Sequence, residues 1–320
     1  MPKTSTALPL EIASVTRANL TPALRAVSGY LKTASMLWMK ALGLPILSGI
    51  VVSDWSKKSA NFVQEFSRKH YFTELLLRVD RKGERWTRRR GGYLLPVADV
   101  HNTVDQLKRE GFITILLEPV SPFSDEYSFA GVTIPDQEKL IVEVVGPGFD
   151  ASDILRSDVP AHERWEFPLA SFPHLAASTI SESGKRIGLA TAEQYATSVQ
   201  QRLAKIGARL RNPAFPDEAS REEPKDQLIT IARSFLRDSS QTRLLEASDK
   251  YIPAPERHLQ AFRHGVERVL LGLWEHGVHL SSTSFAGSVI PNRGLVFWDF
   301  FPAVRQEAES LFPGEETPTL

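Results

Sequence analysis

Apolar residues recur at helical spacing from Leu20 to Leu42, which predicts a helix with Thr21-Pro22 as its cap and first turn. Leu42-Gly43-Leu44-Pro45 ends that run, and Ile46–Val52 reads as a strand. Ser53-Asp54 can cap a helix through Phe66, and Leu75–Val79 is a short buried strand. A polar loop dense in arginine follows from Asp80 to Gly92. Val97–Glu110 returns to helical spacing, with Gly111 in the C-cap place. Three strands come next, Ile113–Leu117, Tyr127–Ile134 and Leu140–Val145. Pro135-Asp136-Gln137-Glu138 makes a hairpin-like link between the last two, and Gly146-Pro147-Gly148 breaks the third.

Beyond this the pattern loosens. Proline and aromatics from Asp150 to Pro173 suggest an irregular segment, Thr191–Leu210 is helical, and Asn212–Lys225 reads as a linker or exposed loop. Gln227–Phe235 and Glu256–Glu275 are helical by pattern, the second strongly amphipathic. Ser281–Ile290 and Leu295–Phe300 are strands joined by the turn Pro291-Asn292-Arg293-Gly294, and Gly314–Leu320 is expected to fray. No internal repeat is visible. Helices mixed with antiparallel hairpins argue for α+β, or α/β with an antiparallel sheet, and against a doubly wound parallel layer.

With 320 residues the chain can bury a substantial core, and 42% hydrophobic and 24% charged residues are ordinary for a soluble globular protein. Thirty-eight basic and 38 acidic side chains give a net charge of zero, so bulk electrostatics favours neither nucleic acid nor membrane. The absence of cysteine removes disulfides, thiolate metal sites and cysteine nucleophiles. Met1–Leu10 lacks the apolar core of a signal peptide, and no run reaches the roughly 20 apolar residues of a membrane helix. A cytoplasmic location is expected.

Chemistry concentrates between Lys32 and Arg78, two cations on separate elements that could grip a polyphosphate from two sides. The following loop holds Arg81, Lys82, Arg85, Arg88, Arg89 and Arg90, then Gly91-Gly92, whose backbone can approach phosphate oxygens closely. Alone, such a loop also reads as a solvated basic surface or a nucleic-acid patch. His276 and His279 are spaced for a strand or turn better than for zinc, and no P-loop, Rossmann fingerprint or Gly-x-Ser-x-Gly elbow occurs.

The order of lysine, Leu42-Gly43-Leu44-Pro45 turn, strand and strand-end Arg78 resembles the start of the nucleotide-binding domain of pyruvate phosphate dikinase and phosphoenolpyruvate synthase, an ATP-grasp fold. The resemblance implies an α+β, ATP-grasp-like chain of two lobes, residues 1–112 and 113–320, with antiparallel sheets, a nucleotide cleft between the lobes and a helical insertion at about 155–255. It implies ATP and Mg²⁺ as cofactors, with Lys32, Arg78, Gly91 and Gly92 on the phosphates and Glu118 and Val120 at the adenine edge. Glu126 would be near the ribose, and Asp299 and Glu143 would be metal ligands, Asp299 and Arg78 acting in catalysis. Asp150, Asp153 and Asp158, with Ser152 and Arg156, form a polar cluster of no derivable role. The chain departs from the dikinases at Ser281, Ser282, Ser284 and Ser288, which stand on the strand where those enzymes usually carry two carboxylates. The expected activity is ATP-dependent phosphotransfer or carboxylate ligation to an unknown acceptor or partner protein. The alternative is an ATP-binding regulatory module without turnover, and a nucleic-acid role is disfavoured by the zero net charge.

Overall fold

The computed structural model describes residues 8–83, 92–120, 126–134, 138–149, 151, 154, 159–169, 184–211 and 251–312. Several expectations fall outside them: Gly91, Arg85, Arg88–Arg90, the cluster of Asp150, Ser152, Asp153, Arg156 and Asp158, the segment Asn212–Lys225, the helix Gln227–Phe235 and the frayed end Gly314–Leu320.

The described elements run β1 (Leu10–Glu11), α1 (Leu20–Ala26), α2 (Leu31–Ala41), β2 (Gly49–Val52), α3 (Lys57–His70), β3 (Glu74–Arg81), β4 (Tyr93–Pro96), α4 (Val100–Arg109) and β5 (Phe112–Leu117). They continue with β6 (Tyr127–Ile134), β7 (Lys139–Val145), β8 (Glu163–Pro168), β9 (Lys185–Leu189), α5 (Ala192–Arg211), α6 (Glu256–Glu275), β10 (Thr283–Ile290) and β11 (Gly294–Pro302). The strands form two antiparallel sheets in a mixed α and β architecture. One has the order β1-β2-β5-β3-β4 and the other β11-β10-β6-β7-β8-β9.

The first sheet is buried on both faces, which is why its strands read as continuous apolar runs. Leu75, Leu77 and Val79 pack with Val63 and Phe66 of α3 and Val104 and Leu107 of α4. Leu76, Ile115 and Leu117 point the other way, into a core with α1 and α2. The same core continues through Met36, Leu37 and Met39 of α2 to the second sheet, so both sheets share one hydrophobic interior. α6 covers a face of the second sheet, where Phe262 stacks on Phe129 and Phe297. Gly131 and Gly287 make room for it, since a Cβ at either would lie 2.8 or 3.0 Å from the Phe262 ring.

Several expectations need correction. The single helix over Leu20–Leu42 is two, because Gly29 takes a left-handed conformation (φ 85°) and stops the first. The helix expected to be capped by Ser53-Asp54 starts later, with the Ser56 side chain accepting from Ser59 N. Within the segment read as irregular lies β8, and β9 follows unforeseen. Both extend the second sheet, so the expected helical insertion at about 155–255 contains two of its strands. The lobe boundary expected after residue 112 falls before almost all of β5, which pairs with β2 and β3 inside the first sheet.

Candidate functional site

Strand alternation along β3 puts Leu76, Arg78 and Asp80 on the face turned toward α2, opposite Leu75, Leu77 and Val79. The N-terminus of α2 has Tyr30 at its N-cap, whose side chain supplies no capping bond. Asp80 fills that role from the neighbouring strand, accepting from Thr33 N at 2.7 Å and from Thr33 Oγ1 at 2.9 Å. A carboxylate there answers both the orphan helix donors and the positive end of the helix dipole. Lys32 donates from Nζ to Val79 O at 3.1 Å, so the start of α2 is tied to β3 at consecutive residues. Burial pushes the Asp80 carboxyl up from its usual range, opposed by Lys32, by the two Thr33 bonds and by Arg78. Burial first, and the Asp80 charge second, push the Tyr30 hydroxyl up.

Arg78 reaches across to β11. Its Nη2 donates to Asp299 Oδ2 at 2.6 Å, its Nη1 donates to Trp298 O at 3.0 Å, and its guanidinium lies 5.5 Å over the Trp298 ring. Two consecutive β11 residues can serve one arginine because the β10–β11 register shifts here. Asp299 pairs with Ala286 and Phe297 with Gly287, leaving Trp298 as the extra residue of a bulge. Strict alternation would have sent Trp298 and Asp299 to opposite faces.

Arg78 and Asp299 therefore meet directly, and Lys32 is linked to them through Asp80, on which the charges of both Lys32 and Arg78 act; Asp80, Thr33 and Trp298 do not stand out in the sequence. Asp80 was legible in principle, standing two residues after Arg78 on an apolar strand, but the reading put it in a loop. Within this group two acidic side chains balance the two basic ones. The other described candidates make contacts of their own. Glu118 Oε1 accepts from Ser48 N at 3.1 Å and its Oε2 pairs with Arg293 of the β10–β11 turn at 2.6 Å, tying the end of β5 to the second sheet. Val120 is buried in the shared core. Gly92 has φ 91° and donates from its N to Leu77 O, beside β4. Glu126 is exposed at the start of β6, where its charge acts on Tyr127 and His258.

Glu143 is not brought to Asp299. The registers set one transverse row, Asp299, Ala286, Ala130, Glu143, Arg164, across β11, β10, β6, β7 and β8. Three strand spacings separate the carboxylates, about 14 Å, too far to share one ion. Glu143 instead lies 3.7 Å from Arg164. Three of the serines that depart from the dikinase pattern bond to protein groups: Ser282 Oγ donates to Thr133 O, Ser284 Oγ donates to Phe301 O, and Ser288 Oγ accepts from Trp298 Nε1. Among the described residues no three histidine, aspartate or glutamate side chains converge as a metal site. One carboxylate already held by arginine does not make a Mg²⁺ site by itself.

No helix among the described residues is long and apolar enough to cross a membrane. No family model matches the chain. No curated protein matches it either. Among solved structures it is similar to D-alanyl-alanine synthetase A from Vibrio cholerae O1 biovar eltor str. N16961, at 9% identity and a TM-score of 0.39, over 88% of this chain and 56% of that one. It is also similar to D-cycloserine synthetase DcsG, at 10% identity and a TM-score of 0.40, over 91% of this chain and 72% of that one. A third likeness is to macrocyclase MdnC, bound to precursor peptide MdnA from Microcystis aeruginosa MRC, at 10% identity and a TM-score of 0.34, over 94% and 65% of the two chains. The chain thus spans little more than half the length of the first of these. At such scores the likenesses carry no weight for function.

Proposed function

We propose that the chain is an ATP-binding protein of the ATP-grasp kind, taking the polyphosphate of the nucleotide between its two sheets with Lys32 and Arg78 as the cations. One observation supports this most: Lys32 on α2 and Arg78 on β3, 46 positions apart in sequence, both act on Asp80, and Arg78 reaches from there to Asp299 of the other sheet. A guanidinium has more donors than these contacts use, and an anion could share Arg78 with Asp299 or displace it. In the catalytic form of this reading the protein is a phosphotransferase or carboxylate ligase, Arg78 stabilises charge on the transferred phosphoryl group, and positioning supplies most of the rate. If ATP enters with Mg²⁺, the phosphate oxygens and water would have to supply most of the metal's ligands, with at most Asp299 from the described residues.

A second reading, ATP binding without turnover, is favoured by Ser282, Ser284 and Ser288, which bond to protein groups on the segment where the dikinases usually carry two carboxylates. Titration calorimetry with ATP and with inorganic tripolyphosphate, each with and without Mg²⁺, tests the shared part. Wild type is expected to bind both, and Lys32→Ala and Arg78→Lys are expected to weaken both by roughly tenfold, about 1.4 kcal/mol each. A wild-type protein that binds neither ligand sinks the proposal. Release of phosphate from Mg·ATP then separates turnover from binding alone.

A further inference from the structure

Arg78 is backed by a line of side chains that crosses β11, β10 and β6 and ends on the Phe149 carbonyl. Trp298, on which the guanidinium lies, donates its indole N–H to Ser288 Oγ at 2.8 Å. Ser288 Oγ is 2.9 Å from Ser128 Oγ on β6, and Ser128 Oγ donates to Phe149 O at 3.1 Å. One proton per hydroxyl gives the chain a single direction: indole to Ser288, Ser288 to Ser128, Ser128 to the carbonyl. Both hydroxyls are fully buried, where water does not compete for these bonds. The bulge makes the arrangement possible by turning Trp298 toward Arg78, and Gly287 opposite it is tightly placed. A Cβ on Gly287 would lie 3.0 Å from Phe262 and 3.1 Å from Val296 O.

We propose that Trp298, Ser288 and Ser128 are positioning residues that hold the Arg78 guanidinium at one orientation for an incoming polyphosphate. The ligand half of this inference rests on the nucleotide-binding reading above; the orientation half does not. The bond from the indole fixes the ring plane, the ring plane fixes the stacking direction of the guanidinium, and Asp299 and the Trp298 carbonyl fix its rotation about that direction. A guanidinium oriented in advance loses less freedom when an anion arrives. In the sequence Ser288 stands out only as a departure from a carboxylate; here its hydroxyl accepts from one side and donates to the other.

The test compares Ser288→Ala, Ser128→Ala and Trp298→Phe, with Ser284→Ala as a control that deletes a hydroxyl on the same strand outside the line. The first readout is nitrogen-15 NMR of the Arg78 guanidinium, assigned by its loss in Arg78→Lys, and it needs no ligand. Wild type and Ser284→Ala are expected to show restricted rotation and slow proton exchange at Arg78, and Ser288→Ala and Trp298→Phe to lose both. Tripolyphosphate affinity is expected to fall about fivefold in each of those two, the size of one neutral hydrogen bond, with no further loss when they are combined. Ser128→Ala is expected to act in the same direction and less. Arg78 as restrained in Ser288→Ala as in wild type, with only thermal stability reduced, would overturn the inference. If Arg78 loosens as expected but wild type does not bind tripolyphosphate, the positioning line stands and the nucleotide reading falls.

Discussion

Acid will destabilise this protein through one buried ring, His162. The residue is 1% exposed, its Nδ1 accepts from Gly146 N at 3.0 Å, and Phe149, Tyr195 and Tyr251 surround it at centroid distances of 5.0, 4.7 and 5.3 Å. Acceptance at Nδ1 requires the neutral ring with its proton on Nε2. A second proton would abolish that bond and leave a charge among aromatic faces. Burial accordingly lowers the pKa from 6.5 to about 4. The unfolded chain takes up the proton near pH 6.5, whereas the folded one resists until about 4. The stabilisation from keeping His162 neutral is thus complete above about 6.5 and is lost as pH falls toward 4. At 1.36 kcal/mol per pH unit the window is worth about 3 kcal/mol. Urea unfolding of wild type and His162→Gln at several pH values between 7.5 and 4.5 measures it, the amide oxygen of Gln being able to accept from Gly146. The stability gap between the two proteins is expected to close by most of that amount across the window. Asp80, whose raised pKa acts with the opposite sign, is present in both proteins and cancels. A gap that stays constant with pH would refute the reasoning.

Two further outcomes follow from packing and from hydrogen bonds. Gly265→Ala in α6 places a Cβ into the Phe297 ring and is expected to cost about 2 kcal/mol despite the better helix propensity of alanine; a rise in melting temperature would contradict it. Glu163 accepts from Tyr251 Oη at 2.6 Å, Ala254 N at 2.6 Å and Trp165 Nε1 at 2.9 Å, so Glu163→Ala orphans three donors. The expected loss in urea unfolding is 3 kcal/mol or more by rough sum, with Glu163→Gln costing less, and equal losses for the two variants would refute the account.

The elements with strong periodic signals were legible. Tyr127–Ile134 and Glu256–Glu275 were read at their observed ends, because a strand bounded by polar residues and a long amphipathic helix each declare themselves locally. β9 was not, since Lys185–Leu189 is mostly exposed and its two apolar residues, Ile187 and Leu189, are too few to mark a strand. Arg78 and Asp299, both candidates from sequence, are in contact, and Lys32 bonds to the carbonyl of the residue after Arg78. Glu143 was placed with them wrongly, because two carboxylates on strands of one sheet can sit three strands apart and no spacing along the chain reports that distance.

The sequence by itself determined most of the strongly periodic helices and strands and that hairpins would pair antiparallel. Those properties follow from side-chain period and turn residues, all local in the chain. Only the tertiary structure decided that Asp80 caps a helix almost fifty residues before it, that a bulge turns Trp298 and Asp299 to the same arginine, and that the serines of β10 bond to protein groups. Each of these depends on register between strands far apart in sequence. Register is set by the summed packing of both sheets about α2 and α6, which no local pattern contains.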